Sequence, residues 1–371
     1  MPSRLRILHL IDKNRLDTGS VVQMLAAARD LARRGHDVGV GGRAGGDLES
    51  ACADSGIPFL ELPLRGPWDP ASISKLRKHL RRHEIDIIHA HKGRAHGVGL
   101  VAAVGMGRRP RLVVNRGVTF PLDIFNKWKY RHPRVASVVC VADAVRESAI
   151  RSGGLRPDSI HTIHGGTDPG IFDPGHAEGA TLRHELGIDP DHIVIGQVSV
   201  RDWKGWSDLV AAFALLAARS PAARLLLVGC EPETERTKVE EAVCEAGLVG
   251  RVVTLPFRTD MPEVLAACDV VVDASWAGTG ITGTIREAMA MQRSVVATDC
   301  GGNRELVVDG EVGLVVPPRD PGALAAALTL LIDDPDLRTR LGIAARIRVV
   351  EHFSTEKRID KLEALYRKVL R

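Results

Sequence analysis

The sequence predicts two α/β domains, each built on a parallel sheet with helices on both faces. Three observations carry this prediction. Short apolar runs alternate with amphipathic helical patterns along the whole chain. The alternation is interrupted by the turn-rich segment HGGTDPGIFDPGH, near residue 175, and then starts afresh. The chain has 371 residues, 44% of them hydrophobic, and chains of this size usually divide into two domains.

The first half of the chain contains six apolar runs of strand length. They are residues 6–11, 37–42, 58–64, 85–91, 111–115 and 136–142. Between the first two runs, the pattern predicts a helix that opens on Ser20, carries basic residues in its last turn and closes on Gly35. We expect the N-terminal domain to span residues 1–172.

The second half repeats the arrangement, and its domain is expected to span residues 173–354. Its strand candidates are residues 192–199, 223–229, 251–257, 270–275, 294–299 and 311–318. Doubly wound sheets bind ligands at the carboxyl ends of their strands. Two such domains facing each other are therefore expected to enclose a deep cleft.

The net charge of +4 conceals an asymmetry between the two halves. Residues 1–175 carry 27 Lys and Arg against 17 Asp and Glu, whereas residues 176–371 carry 23 against 29. The excess lies mainly in the runs 75–83, 108–111 and 127–134. These runs are either solvated helix faces or a site for an anionic partner, such as a phospholipid surface or a phosphorylated acceptor. Nucleic acid is disfavoured, because only 4% of the residues are aromatic.

Cysteine spacing and hydropathy narrow the class of protein further. The six cysteines are scattered, without Cys-x-x-Cys or mixed Cys and His spacing, so we expect no metal site. No apolar run reaches the roughly 18 residues needed to cross a bilayer. The N-terminus leads straight into a strand candidate, which predicts a soluble protein made in the cytoplasm.

A glycine-rich loop follows the strand candidate at 270–275. Gly278, Gly280 and Gly283 spell G-x-G-x-x-G, and Asp299 ends the next apolar run, as in a dinucleotide-binding unit. The first glycine of such a unit, however, directly follows its strand, whereas residues 275–277 intervene here. The loop still offers free N–H groups at a helix N-terminus, which favours a phosphate ester as the ligand.

Four segments carry a family resemblance. In chain order they are 34-RGHDVGV-40, 163-IHGGTDPGIFDP-174, 198-VSVRDWKGWSDLVAAF-213 and 275-SWAGTGITGTIREAMAMQRSVVATDCGGNRELV-307. The chain resembles the family 4 retaining glycosyltransferases of GT-B fold over nearly its whole length. The resemblance implies two Rossmann-like domains, with a C-terminal helix at 355–371 that packs back on the first. It also implies a nucleoside diphosphate sugar as donor substrate, and no cofactor.

The resemblance assigns the donor sugar and ribose to a Glu-x7-Glu pair. Its second Glu, which holds the ribose, corresponds to Glu287. Thr284 and Glu287 could alternatively form a helix capping box. The first Glu is replaced by Thr279, and losing that carboxylate is expected to weaken the grip on the donor sugar or change which sugar fits.

The donor diphosphate requires positive charge, because charge develops on the leaving group as the glycosidic bond breaks. Arg201 and Lys204 match the family's phosphate-binding cations, or they are exposed loop cations. Gly19 matches the family's glycine-rich first loop, or it belongs to an ordinary helix-capping turn. The remaining expected donor contacts come from the glycine-rich loop, at Gly280, Ile281 and Thr282.

The acceptor side is assigned to residues 111–131, which resemble a subgroup that includes lipopolysaccharide and surface-polysaccharide enzymes. Arg116 stands where other members place a His, and an Arg cannot act as a general base. Arg116 is therefore expected either to clamp a phosphate or carboxylate, or to pair with a neighbouring acid. His91 ends a strand candidate and is either catalytic or a hydrogen-bonded structural residue.

These assignments predict a retaining, metal-independent hexosyl-type transferase. Its acceptor is expected to be a saccharide or a lipid-linked molecule. The protein is expected to be cytoplasmic and peripheral on the inner face of the plasma membrane. Two alternatives stay open: a non-hydrolysing sugar-nucleotide epimerase, and a catalytically degenerate nucleotide-sugar-binding protein, which the replacement at Thr279 would explain.

Overall fold

The computed structural model describes residues 4–231, 233–278 and 280–371. Their contacts group the chain into two compact units. Unit 1 comprises Met1–Gly166 together with Thr355–Arg371, and unit 2 is the continuous segment Thr167–Ser354.

Unit 1 is built on a parallel sheet. Its strands are β1 (Arg6–Ile11), β2 (Asp37–Gly42), β3 (Phe59–Glu61), β4 (Ile87–His91), β5 (Arg111–Arg116), β6 (Val135–Cys140) and β7 (Ile160–Thr162). Within the described residues they are ordered β3-β2-β1-β4-β5-β6-β7. The strand order reverses between β1 and β4, and such a switch point is where doubly wound sheets bind ligands.

Helices cover this sheet. They are α1 (Gly19–Arg33), α2 (Asp47–Asp54), α3 (Pro70–Arg82), α4 (Gly93–Ala103), α5 (Ile124–Arg131) and α6 (Asp143–Gly153). In α1, buried residues recur at helical spacing, from Val21 to Leu31, and pack into the core of unit 1. The helix begins before the predicted Ser20, because Thr18 is the N-cap residue, and Gly35 with φ 86° follows its end.

Unit 2 repeats the design with a second parallel sheet. Its strands are β8 (Ile193–Val198), β9 (Ala223–Val228), β10 (Val252–Leu255), β11 (Val270–Asp273), β12 (Ser294–Thr298) and β13 (Leu314–Val316). In the described part of the chain their order is β10-β9-β8-β11-β12-β13. The switch point lies between β8 and β11, whose carboxyl ends are adjacent.

The two faces of the second sheet carry separate cores. Its helices are α7 (Gly179–Glu185), α8 (Trp206–Ala217), α9 (Glu233–Glu245), α10 (Met261–Ala266), α11 (Gly283–Ala290), α12 (Asn303–Leu306), α13 (Pro321–Asp333) and α14 (Pro335–His352). Apolar residues of α8 and α13 fill one core, and those of α11 and α14 fill the other. Burial on both faces explains why the strands are continuous apolar runs rather than alternating ones.

The last helix, α15 (Thr355–Leu370), belongs to unit 1. Ile359, Leu362 and Tyr366 are buried in the same core as α1. The Tyr366 hydroxyl lies 2.6 Å from Nδ1 of His89, and Arg358 donates to the Gln23 carbonyl oxygen at 2.6 Å. The helix is therefore fixed to unit 1 by polar bonds as well as by packing.

The predicted fold class of two Rossmann-like doubly wound domains is confirmed. Each strand candidate is present, although β3 is much shorter than the run 58–64. The edge strand β7 was missed, because three residues are too few to show a pattern. Within the described residues, no helix is both long enough and apolar enough to cross a bilayer.

Unit 1 also buries several histidines, among them His96 of α4. This side chain is 1% exposed, and its ring meets the ring of Tyr130 edge-on at 4.8 Å. Burial, assisted by the charge of Lys129, lowers the pKa of His96 to about 3. The folded protein therefore holds this ring neutral at pH values where the unfolded chain is protonated.

We predict that the variant His96→Phe becomes less sensitive to acid than the wild type. The unfolded chain binds more protons than the folded one between the folded and unfolded pKa values, so stability is lost as pH falls below about 6.5. The loss attributable to His96 is about 2 kcal/mol at pH 5. Melting temperatures at pH 7 and pH 5 measure it, with the exposed His184→Phe as control. An equal decrease in melting temperature from pH 7 to pH 5 in both variants would contradict the prediction.

Candidate active site

The carboxyl end of β11 carries a buried carboxylate, Asp273, which is 3% exposed. Ser275 and Thr282 donate hydroxyl hydrogen bonds to it at 2.6 and 2.7 Å, and the Asn303 amide donates at 2.8 Å. The Lys204 ammonium lies 3.5 Å from its Oδ1. Burial opposes ionisation, but the charge of Lys204 and these donors hold the pKa of Asp273 below its usual value. One carboxylate thus organises three strand-end segments.

Lys204 lies in the loop that follows β8, at the switch point of unit 2. The loop ends at Gly205, whose φ is 67°, and a Cβ there would overlap the carbonyl oxygen of Ala274. The buried Gln197 side chain donates to the Lys204 carbonyl oxygen at 3.1 Å and accepts from the Ala274 N–H at 3.3 Å. The loop is therefore held against the end of β11. An ammonium has three donors, so Lys204 can bind an anion besides Asp273.

Two tryptophans brace the same pair of loops. The Trp276 N–H donates to the Trp203 carbonyl oxygen at 2.9 Å, and its indole N–H donates to the Asp202 carbonyl oxygen at 3.0 Å. The Arg319 guanidinium stacks on the Trp276 ring at 4.0 Å. The ends of β8 and β11 therefore form a rigid platform.

The N-terminus of α11 lies next to this platform. Thr282 is its N-cap residue, but its hydroxyl is bonded to Asp273, and within the described residues no side chain caps the first turn. Gly280 is fixed by the Gly302 N–H, which donates to its carbonyl oxygen at 2.7 Å, and Ile281 packs against the core. Uncapped N–H groups and the helix dipole favour an anion here.

Glu287 lies one turn into α11. Burial raises the pKa of its carboxyl, although the neighbouring Arg286 opposes the shift. The Arg286 guanidinium itself is buried and donates to the Thr167 hydroxyl at 2.7 Å. Because the N-cap is Thr282 and not Thr284, the described residues do not form the Thr284–Glu287 capping box. Glu287 is thus not committed to capping the helix.

Arg201 binds backbone carbonyl oxygens, whereas Lys204 pairs with a carboxylate. Its guanidinium donates to the carbonyl oxygen of Val200 at 2.8 Å and to that of Glu231, in the loop after β9. It therefore joins two strand-end loops, and a ligand role would use its remaining donors. Thr279 lies outside the described residues.

Gly19 is the first residue of α1 in unit 1. A Cβ at this position would meet no atom within 4 Å, and its φ is not in the left-handed region. Neither packing nor backbone geometry in unit 1 therefore requires glycine. The Thr18 side chain does not cap the helix in the described structure, so the simple capping turn is incomplete.

Arg116 ends β5 and is 8% exposed. Its guanidinium donates to the Phe120 carbonyl oxygen and lies 5.8 Å from the centre of the Tyr130 ring. In the part of the chain that the structure describes, it makes no ion pair, so the neighbouring-acid alternative is not what the fold shows. The side chain instead orders the loop after β5.

His91 is 2% exposed and lies in a cluster with His9 and His89. Its Nε2 is 3.1 Å from Nδ1 of His9, and its ring stacks on His89 at 4.4 Å. Burial and the neighbouring histidines lower its pKa well below the usual value. This environment favours the structural alternative for His91. The three rings offer a donor set for a transition metal, but the nearby charge of Arg358 opposes a cation.

The structure thus brings together Lys204, Thr282 and the start of α11. In unit 1 it places His91 and Arg116 at strand ends and Gly19 at the start of α1. Sequence reasoning missed Asp273. The signal was present, because an Asp that closes an apolar strand must find donors when it is buried. It also missed the histidine cluster, which joins β1 to β4 and so depends on strand order.

Family models match both halves of the chain. The model described as Glycosyl transferases group 1 matches residues 189–334, in unit 2. The model described as Glycosyltransferase Family 4 matches residues 18–170, nearly all in unit 1.

Individual proteins show the same similarity. The chain is 28% identical to alpha-D-kanosaminyltransferase of Streptomyces kanamyceticus, over 84% of this chain and 88% of that protein. It is 28% identical to the D-inositol 3-phosphate glycosyltransferase of Corynebacterium diphtheriae, over 94% of this chain and 89% of that protein. Its structure is similar to Anabaena Alr3699/HepE in complex with UDP-glucose, with a TM-score of 0.83, 25% identity, and coverage of 97% and 99%.

We predict that Asp273→Asn lowers the free energy of unfolding by about 2 to 4 kcal/mol, because an amide cannot accept all the donors and leaves Lys204 without its counter-charge. Denaturant unfolding measures the change. Asp299→Asn is the matched control, since Asp299 also follows a strand of this sheet but forms an exposed ion pair with Arg304. An equally small effect of both substitutions would show that the network does not hold unit 2 together.

Proposed function

The chain belongs to the group 1 and family 4 glycosyltransferases of GT-B fold, and from this we propose that it moves a hexose from a nucleoside diphosphate sugar to a saccharide or lipid-linked acceptor. The observation that carries the proposal is the platform in unit 2. There, Lys204, held by Asp273, lies beside the uncapped N-terminus of α11. This arrangement suits a diphosphate.

The similarity to a UDP-glucose complex supports a nucleotide sugar as the donor. We assign the diphosphate to Lys204, Arg201 and the loop Gly280–Thr282, and the ribose to Glu287. A carboxyl whose pKa is raised by burial accepts hydrogen bonds from ribose hydroxyls once ligand donors and Arg286 stabilise its charge. The residue that would contact the donor sugar, Thr279, carries a neutral hydroxyl in place of a carboxylate.

We propose that transfer retains the configuration of the sugar. The bond from the anomeric carbon to the diphosphate oxygen breaks, and the bond to the acceptor oxygen forms on the same face. The proton of the acceptor hydroxyl passes to the leaving diphosphate. Lys204 and Arg201 neutralise the departing charge, which is the role that a metal ion has in other transferases.

The donor proposal is tested by thermal shift with UDP-, GDP- and ADP-sugars, because a ligand at a hundredfold excess over its Kd stabilises by about 2.7 kcal/mol. Release of nucleoside diphosphate is then measured with and without candidate acceptors. Acceptor-dependent release supports transfer, whereas interconversion of two sugar nucleotides without acceptor would favour an epimerase. Binding without any turnover would favour the degenerate alternative.

We predict that Lys204→Ala weakens binding of a nucleoside diphosphate by about 1.5 to 3 kcal/mol, because a charge-assisted contact is lost. Calorimetry below the melting transition measures the affinity, since removal of Lys204 also leaves Asp273 unpaired. Lys238→Ala is the control, because Lys238 forms a surface ion pair with Glu235 on α9. Unchanged affinity in the Lys204 variant would remove this residue from the site.

We also propose that unit 1 holds the protein at the inner face of the plasma membrane, in surface polysaccharide or lipopolysaccharide synthesis. Besides its excess of basic residues, unit 1 exposes four large apolar side chains, Trp68, Phe120, Ile124 and Trp128. Trp68 and Trp128 stack at 5.3 Å, and Ile124 is 73% exposed. Tryptophan beside lysine and arginine is typical of surfaces at the membrane interface.

We predict that the protein floats with anionic vesicles at low salt, with roughly 1 kcal/mol from each engaged Lys or Arg, and detaches as salt rises. Trp128→Ala should reduce the recovered fraction, whereas Trp203→Ala, at an exposed tryptophan of unit 2, should not. Equal recovery with neutral and anionic vesicles, or no recovery with either, would contradict membrane attachment through basic residues.

A further inference from the structure

A cavity lies at the switch point of unit 1, beside the loop that leads into Gly19, and no ligand has been assigned to its charged side chains so far. It has a volume of about 380 Å³ and lies where β1, β2 and β4 end. Four cations line it, Lys13, Arg15, Arg43 and Arg94, together with the acids Asp12 and Asp17. Switch points are the ligand-binding positions of doubly wound sheets, and this volume suits a small polar molecule.

The charges of the cavity do not cancel. Arg15 is neutralised by Asp17, with 3.2 Å between Nε and Oδ2. Within the described residues, the side chains of Lys13, Arg43 and Arg94 have no carboxylate partner. Three unpaired cations facing one space repel one another, and an anion between them would relieve that repulsion.

The loops that carry these cations are fixed in advance. The Asn14 side chain donates to the Ala44 carbonyl oxygen at 3.3 Å, and the Leu48 N–H donates to the Asn14 carbonyl oxygen at 3.0 Å. A Cβ on Gly46 would overlap Asn14, so only glycine permits this close approach. The loop after β1 and the loop after β2 are therefore held together, which fixes the backbone segments that carry Lys13 and Arg43.

Asp12, in the loop after β1, also fixes the segment that carries Arg94. The Arg94 backbone N–H donates to Oδ2 of Asp12 at 3.3 Å. The other carboxylate oxygen of Asp12 is covered and, in the described part of the chain, has no donor. An unpaired carboxylate oxygen is costly to bury, so this atom is suited to receive a hydroxyl hydrogen bond after a small rotation of the side chain.

The basic residues of α3 provide a contrast within the same unit. Arg77 donates to the carbonyl oxygens of Ala102 and Val101 near the end of α4, and Lys75 faces Glu61 at 3.8 Å. These cations satisfy a helix end and a carboxylate of the protein itself. In the part of the chain that the structure describes, Lys13, Arg43 and Arg94 of the cavity have no such partners.

We infer that the acceptor is a polyhydroxylated molecule bearing a phosphate group, and that this cavity binds it. Lys13, Arg43 and Arg94 hold the phosphate, and Asp12 accepts a hydrogen bond from a hydroxyl. The inference rests on the proposed function, because it assigns the acceptor of that reaction. The phosphate belongs either to a soluble sugar phosphate or to a lipid-linked one, which share this chemistry.

The test uses the full chain and calorimetry with inorganic phosphate, glucose 1-phosphate, glucose 6-phosphate and unphosphorylated glucose. At least one phosphorylated probe is expected to bind, and glucose is not. The double variant Arg43→Ala/Arg94→Ala is expected to weaken that binding at least tenfold. The matched control is Arg81→Ala/Arg82→Ala, two exposed arginines of α3, which should leave it unchanged. Failure of every phosphorylated probe, with vesicles containing phosphatidic acid also unaffected by the Arg43/Arg94 variant, overturns the inference.

Two further measurements separate this inference from its premise. Affinity for UDP is measured in the same variants, because the donor is assigned to unit 2 and should be bound equally by all of them. If the protein binds UDP but no phosphate at this cavity, the inference fails while the proposed function stands. If saturating UDP displaces the phosphate probe, the cations belong to the donor site, and the inference is wrong. Binding only to vesicles that contain phosphatidic acid, lost in the Arg43/Arg94 variant, identifies the lipid-linked source.

Discussion

Unit 2 depends on the ionised state of one buried side chain, Asp273. A carboxylate in the interior is tolerated only when hydrogen bonds and a counter-charge replace the water it has lost. Here the replacements come from three different segments, through Lys204, Thr282 and Asn303. Each segment must therefore adopt its observed conformation for the carboxylate to be satisfied. The same requirement delivers a cation and an uncapped helix N-terminus to one strand end, so structural need and ligand chemistry coincide.

At the switch point of unit 1, the buried polar side chains are neutral histidines. His9, His89 and His91 lie on one face of adjacent strands, since His9 pairs in register with His89 and His91 is two residues further on. They bond to each other and to Tyr366 of α15 rather than to a counter-ion. The histidine cluster at this switch point is thus polar but uncharged, and the cations of the cavity lie at the rim of the sheet, where β1, β2 and β4 end. The contrast places fixed charge at the centre of one switch point and at the edge of the other.

Much of the fold could be predicted because buried parallel strands have continuous apolar sequences. Such runs can be recognised without knowing which strands pair with each other. β7 escaped because an edge strand of three residues has no period to detect. The start of α1 was misplaced because Thr18 and Ser20 are equally good caps by composition, and only the backbone distinguishes them. Lys204 and Glu287 were proposed as site residues from the family resemblance and remain predictions. Asp273 and the cavity at Arg43 and Arg94 required strand order, which brings distant residues together.

The position of α15 has a consequence for the architecture of the gene product. Unit 2 is one uninterrupted segment, and its two ends meet, because the Thr167 N–H donates to the Phe353 carbonyl oxygen at 2.9 Å and Thr167 pairs with Ser354. In the sequence, unit 2 is therefore inserted between two segments of unit 1. A frameshift within the codons for Thr355–Arg371 would damage the unit encoded first, since these residues complete it. Conversely, because the two ends of unit 2 are adjacent, this segment can be exchanged in evolution without breaking the chain within the core of unit 1.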